Sequence, residues 1–247
     1  YLTGYPDRPP VRPGLILSDY ITGIFNALSI MIALHERGQS GRGQWVDLAL
    51  YESIFRLMEH TVASYDRLGL VREREGNRLK NSAPLDNWET SDGQFISIIA
   101  AGDGLFPRLA EAMGRKDLLS DPRFKTLADR ARHAEEINGI VAEWCRSRTA
   151  AEIEDIMNRA QVPVCRAFSI RDIFADPHYQ ARGDIVEVED PEIGPVKMQA
   201  VYPRFSRTPG EIRSGAPKLG EHNQEIYQSW LGLDAAEIEA LRAEGVI

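Results

Sequence analysis

The chain has 247 residues, of which 43% are hydrophobic, so it can bury a sizeable core as one large domain or two small ones. Its formal net charge of −8 disfavours binding to nucleic acid or to an anionic membrane surface. The two cysteines, Cys145 and Cys165, lack metal-type spacing, and we interpret them as reduced core residues of a cytoplasmic protein. Polar residues interrupt the most apolar segment, 20–34, so we predict neither a signal peptide nor a membrane span.

The first forty residues predict an extended lead-in followed by a long helix. Residues 1–14 contain four prolines, which disfavour a helix or a central strand. We predict that this segment is an extended connection and that Leu15–Leu17, which follow it, form a short buried run. Residues 19–37 carry apolar side chains at helical spacing on much of their surface, which is typical of a helix buried between layers. Asp19 stands at the N-cap position, and Gly38 is the predicted left-handed C-cap.

Asp19 is the candidate catalytic residue. The helix dipole and the free N–H groups of a first turn favour the ionised carboxylate, and a non-helical residue before the helix can face a cleft. An ionised and oriented carboxylate is a usable nucleophile for an activated acyl group. The alternative is that Asp19 only caps the helix.

For the rest of the chain we predict a short strand, a helix, a charged linker and then a region of mixed helices and strands. The predicted strands are 45–50 and 162–167, the hairpins are 85–101 and 183–199, and the linker is 71–84. The predicted helices are 51–68, 105–113, 133–146, 149–159, 170–174, 223–230 and 235–244. We find no metal-ligand spacing, no serine nucleophile elbow and no Rossmann glycine fingerprint.

Several short motifs resemble the class III CoA-transferase family, which includes formyl-CoA transferase, carnitine CoA-transferase and α-methylacyl-CoA racemase. They are PDRPPVRPG at 6–14, SDY at 18–20, Gly23, Ala33-Leu34 with Arg37, GRGQWVD at 41–47, DG at 92–93, DP at 176–177 and LGEH at 219–222. The resemblance covers all 247 residues, but only the C-terminal part of a typical member. The chain is therefore expected to be a fragment, or one piece of a split enzyme, without the N-terminal Rossmann-like portion.

The resemblance implies an α/β fold of class III CoA-transferase type, with part of a Rossmann-like large domain and a small α+β domain. Residues 1–70 would be a remnant of the large CoA-binding domain that carries the catalytic aspartate, and 71–84 a linker. Residues 85–180 would form the small α+β domain, and 181–247 would return to the large domain.

The resemblance also implies an activity. In the family, the acid at the position of Asp19 is the catalytic aspartate, which passes through an aspartyl-CoA thioester, and Leu50 matches a position that touches CoA from the end of a strand. The expected substrates are an acyl-CoA and a carboxylic acid, without a metal. The expected assembly is an interlocked homodimer, or a complex with a separate N-terminal Rossmann-like half.

Two alternatives remain open. An acyl-CoA racemase of the same fold would pair the acid with a histidine, which in the family lies in the N-terminal half. The chain would otherwise be a non-catalytic module that acts only when it is assembled with that half. The Asp-Tyr-x-x-Gly sequence that begins at Asp19 resembles the carnitine-type transferases more, which favours CoA transfer.

Overall fold

The computed structural model describes all 247 residues. The chain divides into two compact units, Tyr1–Ala167 and Phe168–Ile247. The first unit holds seven helices and a three-stranded sheet, and the second holds three helices and a two-stranded sheet. The domain boundaries inferred from the sequence stay predictions.

The first unit opens with the long helix α1, Leu17–Ser40. It begins two residues earlier than predicted, because Ile16 occupies the N-cap position and Asp19 already lies in the first turn. It also ends later, since Gly38 is helical and Gly41 supplies the left-handed cap at φ 73°. Glycine adopts that conformation without steric cost, so GRGQ is the helix stop. The predicted capping roles of Asp19 and Gly38 are wrong.

Helix α1 is apolar but lies open in this chain. Thr22 is its one buried residue, whereas Ile24 and Met31 are 70% and 64% exposed. The predicted burial of this helix, and of the Leu15–Leu17 run before it, is therefore wrong for this chain. By length and hydropathy alone, α1 would also suffice to cross a membrane. The core helix of a larger protein has the same composition.

Two short helices follow, α2 at Leu50–Arg56 and α3 at Thr61–Leu68. The predicted strand at 45–50 is absent, since neither sheet includes this segment and a strand is defined by its ladder of hydrogen bonds to a neighbour. The predicted single helix at 51–68 is two helices. Glu59, at φ 51°, interrupts it in the left-handed region.

The lead-in of the chain docks onto the predicted linker. The Gly76 amide donates to the Gly4 carbonyl at 2.9 Å, and the Asn77 amide group donates to the Tyr5 hydroxyl at 3.2 Å. Gly76 has φ 63°, and a Cβ there would lie 2.6 Å from the Tyr5 ring. Only glycine fits this close approach, so the linker is held against the segment that leads to α1.

The main core lies between a small sheet and its helices. The strands are β1 (Leu85–Glu89), β2 (Phe95–Ile99) and β3 (Val164–Arg166), antiparallel in the order β1-β2-β3. The helices are α4 (Phe106–Ala112), α5 (Leu127–Arg132), α6 (Ala134–Arg146) and α7 (Ala150–Arg159). Ile96 and Ile98 of β2 are fully buried against Val141 and Ile153 of these helices. The predicted hairpin, strand β3 and the three longer helices are confirmed, whereas α5 was not predicted.

Polar side chains link the elements of this core. Thr149 caps α7, as predicted. Asp92, in the β1–β2 turn, accepts hydrogen bonds from the Thr90 hydroxyl at 2.5 Å and from the Ala150 amide at 3.1 Å. These hydrogen bonds, that of Thr90 foremost, lower the pKa of Asp92. The guanidinium of Arg130 is buried and donates to the backbone carbonyls of Ala83, Phe124 and Ala101.

The cysteines differ in environment. Cys145 on α6 is buried, and burial raises the pKa of its thiol to about 12. Cys165 on β3 is exposed, because it pairs with Ser97 on the outer face of the sheet, so its predicted core position is wrong. Both are free thiols.

The second unit contains short elements around one hairpin. Its helices are α8 (Ile170–Ala175), α9 (Pro177–Arg182) and α10 (Ala235–Ala243), with a π-helical turn at Glu225–Trp230. Strands β4 (Ile185–Asp190) and β5 (Gly194–Gln199) form the predicted antiparallel hairpin, which is confirmed. Ile238 of α10 is its one buried hydrophobic residue.

Candidate functional site

Asp19 is an exposed carboxylate in the first turn of α1. It is the third residue of the helix, and the Ser18 hydroxyl donates to its Oδ2 at 3.0 Å. The free N–H groups of a first turn and the helix dipole favour negative charge at this place. Asp19 therefore lies inside the first turn of the helix rather than at its cap, and its catalytic role stays a prediction.

Thr22 lies one helical turn after Asp19 and faces α2. It is only 8% exposed, and its hydroxyl donates to the carbonyl of Leu50 at 3.5 Å. Residues three apart on a helix share a face, so Asp19 and Thr22 lie on the same side of α1. The first two turns of α1 are thus packed against the start of α2.

The start of α2 is itself fixed. The side chain of Glu52 accepts a hydrogen bond from the amide of Ala49 at 2.7 Å, which closes the first turn. One turn after Leu50, Ser53 is 1% exposed and is the one buried residue of α2. Its hydroxyl has no hydrogen-bond partner in the protein. Small polar residues therefore form the buried part of both helices.

Leu50 begins α2 and does not end a strand. Its side chain is 53% exposed, and its backbone carbonyl accepts from Thr22. A role beside CoA stays a prediction for this residue. No group of three or more His, Cys, Asp or Glu side chains is placed to hold a metal ion.

Sequence reasoning missed Thr22 and Ser53. The available signal was the spacing: Thr22 is a polar residue within an apolar run, at the position three after the candidate nucleophile. Nothing in the sequence marks Ser53 as buried, because it lies in a predicted helix without a distinctive motif. Chemically, the arrangement offers an accessible carboxylate at the positive end of a helix, which can attack an electrophilic carbonyl.

The chain is similar to several enzymes with known reactions. It is 42% identical over 246 residues to succinyl-CoA–D-citramalate CoA-transferase of Chloroflexus aurantiacus, covering 100% of this chain and 61% of the relative. It is 40% identical to the beta subunit of succinyl-CoA–L-malate CoA-transferase of the same organism, covering 100% and 62%. A succinyl-CoA:mesaconate CoA-transferase of Haloarcula marismortui is 33% identical, over 91% and 56%. The chain thus spans about three fifths of the length of these relatives.

Solved structures and a family model agree with this similarity. A CAIB/BAIF family protein from Brucella suis superposes with a TM-score of 0.76 at 28% identity, over 92% of this chain and 59% of that protein. The fold class predicted from the sequence, α/β of class III CoA-transferase type, is confirmed. The model of "CoA-transferase family III" matches residues 1–223, so the predicted resemblance is also confirmed. The chain belongs to CoA-transferase family III.

Proposed function

We propose that this protein is an acyl-CoA:carboxylate CoA-transferase in which Asp19 is the nucleophile. The observation that carries the proposal is the exposed carboxylate of Asp19 in the first turn of α1, in a chain of CoA-transferase family III. Exposure lets a thioester carbonyl reach the carboxylate. The Ser18 hydroxyl donates to one carboxylate oxygen, and the carboxylate is the form that attacks.

The reaction consists of two pairs of acyl transfers. The Asp19 carboxylate attacks the thioester carbonyl of the donor acyl-CoA, which breaks the C–S bond and gives a mixed anhydride and CoA thiolate. The thiolate then attacks the aspartyl carbonyl, which releases the donor acid and leaves an aspartyl-CoA thioester. The acceptor carboxylate attacks the carbonyl of this thioester, which breaks its C–S bond, releases CoA thiolate and forms a second anhydride. The thiolate attacks the acceptor carbonyl of that anhydride, which gives the new acyl-CoA and restores Asp19.

The donor and acceptor we propose are short dicarboxylates. The relatives described above are named for succinyl-CoA together with citramalate, malate or mesaconate, all of which carry two carboxyl groups. We accordingly propose succinyl-CoA as the donor and a four- or five-carbon dicarboxylic acid as the acceptor. Leu50, half exposed beside Thr22, is the residue of this chain that we place next to CoA.

We further propose that the active form is a cytoplasmic assembly, an interlocked homodimer or a complex with a separate Rossmann-like half. The apolar side chains of α1 support an assembly, because a large exposed apolar surface is rarely left uncovered in a soluble protein. The relatives named for malate carry alpha and beta subunit designations, which fits more than one polypeptide.

The test compares Asp19→Asn with wild type in the full-length protein, using succinyl-CoA and a panel of dicarboxylic acids. Chromatography of the acyl-CoA products measures transfer. We expect Asp19→Asn to lose transfer, whereas Asp66→Asn, an exposed helical aspartate on α3, keeps it. Hydroxylamine added during turnover should convert Asp19 to a hydroxamate, detected by peptide mass spectrometry. Transfer at the wild-type rate by Asp19→Asn would refute the proposal.

A further inference from the structure

We infer that Thr22 is a positioning residue for Asp19, and that its hydroxyl, through the Leu50 carbonyl, fixes the orientation of the carboxylate. The inference rests on the proposed function, because it assigns a role in the same reaction. It goes beyond that function in naming how the chain holds the nucleophile.

The burial pattern of α1 points to Thr22. Of the 24 residues of this helix, Thr22 is the one that is buried. Eight large apolar side chains of the helix are exposed to solvent. Those apolar residues are, with their exposed fractions, Leu17 (40%), Tyr20 (69%), Ile24 (70%), Leu28 (56%), Ile30 (51%), Met31 (64%), Ile32 (58%) and Leu34 (42%). Thr22 lies at the centre of the packed face of α1, between the half-buried Ile21 and Phe25. A buried hydroxyl needs a hydrogen-bond partner, and the Leu50 carbonyl is the partner on this face.

That contact links the rotation of α1 about its axis to the position of α2. Apolar contacts are non-directional, and they allow a helix to turn or slide slightly without loss. A hydroxyl-to-carbonyl hydrogen bond depends on distance and angle. At 3.5 Å the contact between Thr22 Oγ1 and the Leu50 oxygen is longer than the usual range of about 2.5–3.0 Å, so a small rotation of α1 would break it. Asp19 lies one turn away on the same face, so a rotation that breaks this bond also turns the carboxylate.

The other side of the contact is small and rigid. The Leu50 carbonyl belongs to the first residue of α2, whose first turn is closed by Glu52, and Ser53 follows one turn later as a buried small residue. Small side chains let two helices approach closely. The acceptor of the Thr22 hydroxyl is thus held by α2 itself.

The experiment separates the hydroxyl of Thr22 from its volume. Thr22→Val keeps the branched shape and removes the hydroxyl, and Thr22→Ser keeps the hydroxyl and removes a methyl group. Thr61→Val is the matched control, since the Thr61 hydroxyl, at the start of α3, is buried without a partner. All variants are made in the full-length protein, and kcat and KM for succinyl-CoA are measured, with Asp19→Asn alongside.

We expect Thr22→Val to lower kcat about 10- to 100-fold with KM for the acyl-CoA nearly unchanged, the effect of a displaced reacting group. Thr22→Ser should restore kcat to within about threefold of wild type if the hydroxyl is the cause. Thr61→Val should match wild type. Circular dichroism should show the same helix content and thermal midpoint for Thr22→Val as for Thr61→Val.

Three results would overturn the inference. The first is a wild-type kcat for Thr22→Val while Asp19→Asn is inactive, which leaves the proposed function intact. The second is an equal loss for Thr22→Val and Thr22→Ser, which would make packing volume the cause. The third is a loss confined to KM, which would make Thr22 a binding residue. Retained transfer by Asp19→Asn would instead remove the proposed function, and the inference with it.

Discussion

Arg130 offers the sharpest test of how the core of the first unit is held together. Its side chain is 1% exposed and donates to the carbonyls of Ala83, Phe124 and Ala101 at 3.2, 2.9 and 2.6 Å. It also forms an ion pair of 2.6 Å with Asp103. One guanidinium thus joins the end of the predicted linker, the loop after β2 and the turn before α5.

The magnitude follows from what Arg130→Met would leave behind. Methionine fills much of the volume but donates nothing, so three buried carbonyls lose a donor, at roughly 1–3 kcal/mol for each one left unsatisfied. Partial rehydration and relaxation reduce the sum, and the ion pair adds little, because the side chain of Asp103 is 63% exposed and stays hydrated without its partner. From the three carbonyls we expect a loss of about 3–5 kcal/mol in the local stability of this region.

Hydrogen–deuterium exchange in the full-length protein measures this loss locally. Since about 1.4 kcal/mol corresponds to a factor of ten, amides near Ala101 and Phe124 should exchange about 100- to 4,000-fold faster in Arg130→Met. Arg132→Met is the matched control: that side chain is 70% exposed and pairs only with Asp129, so a change under about 0.5 kcal/mol is expected. Equal protection in the two variants would show that the buried hydrogen bonds of Arg130 add no net stability.

Two further predictions concern the same unit. The pKa of Asp92 is lowered in the folded state, so its carboxylate stabilises the fold above its unfolded pKa, about 3.9, and this contribution is lost as the pH falls through the folded value. Thermal unfolding of Asp92→Asn should therefore depend less on pH below about pH 5 than wild type, and an unchanged acid dependence would contradict this. Gly76→Ala should release the lead-in, since the new Cβ would lie 2.6 Å from the Tyr5 ring at φ 63°. Limited proteolysis should then cut residues 1–10 faster than in Tyr5→Phe, which loses only the Asn77 hydrogen bond.

The elements that the sequence predicts well are those whose turns and caps are formed by residues close to them in the sequence. The hairpin of β1 and β2 has its turn at Ser91-Asp92-Gly93, and α7 carries its own capping box from Thr149 to Glu152. These signals act within a few residues and are matched by burial of the predicted face. The same holds for the β4–β5 hairpin, whose register follows from the turn at residues 190–194.

The failures arise where structure depends on distant partners. Residues 45–50 alternate as a strand would, but a strand needs a neighbour, and no other strand of the chain pairs with them. The burial of Arg130 could not be predicted from the sequence either, because its carbonyl partners lie up to 47 residues away along the chain. For the candidate site, the sequence predicts the residue type and the nearby helix terminus at Asp19. The contact between Thr22 and Leu50 could not be predicted, because the two residues lie 28 positions apart.

The packing of the chain separates the residues that support the fold from those that support the proposed chemistry. Ile96, Ile98 and Val141 are fully buried in a core that α1 does not enter, whereas Asp19 depends on a contact between two helices with one buried residue each. Substitutions in the core should therefore act on stability first. Substitutions at the α1–α2 contact should act on the orientation of the carboxylate while most of the fold is kept. An isolated helix gains little stability from its own hydrogen bonds, so α1 depends on its packing against α2 and on the assembly proposed to cover its apolar side chains.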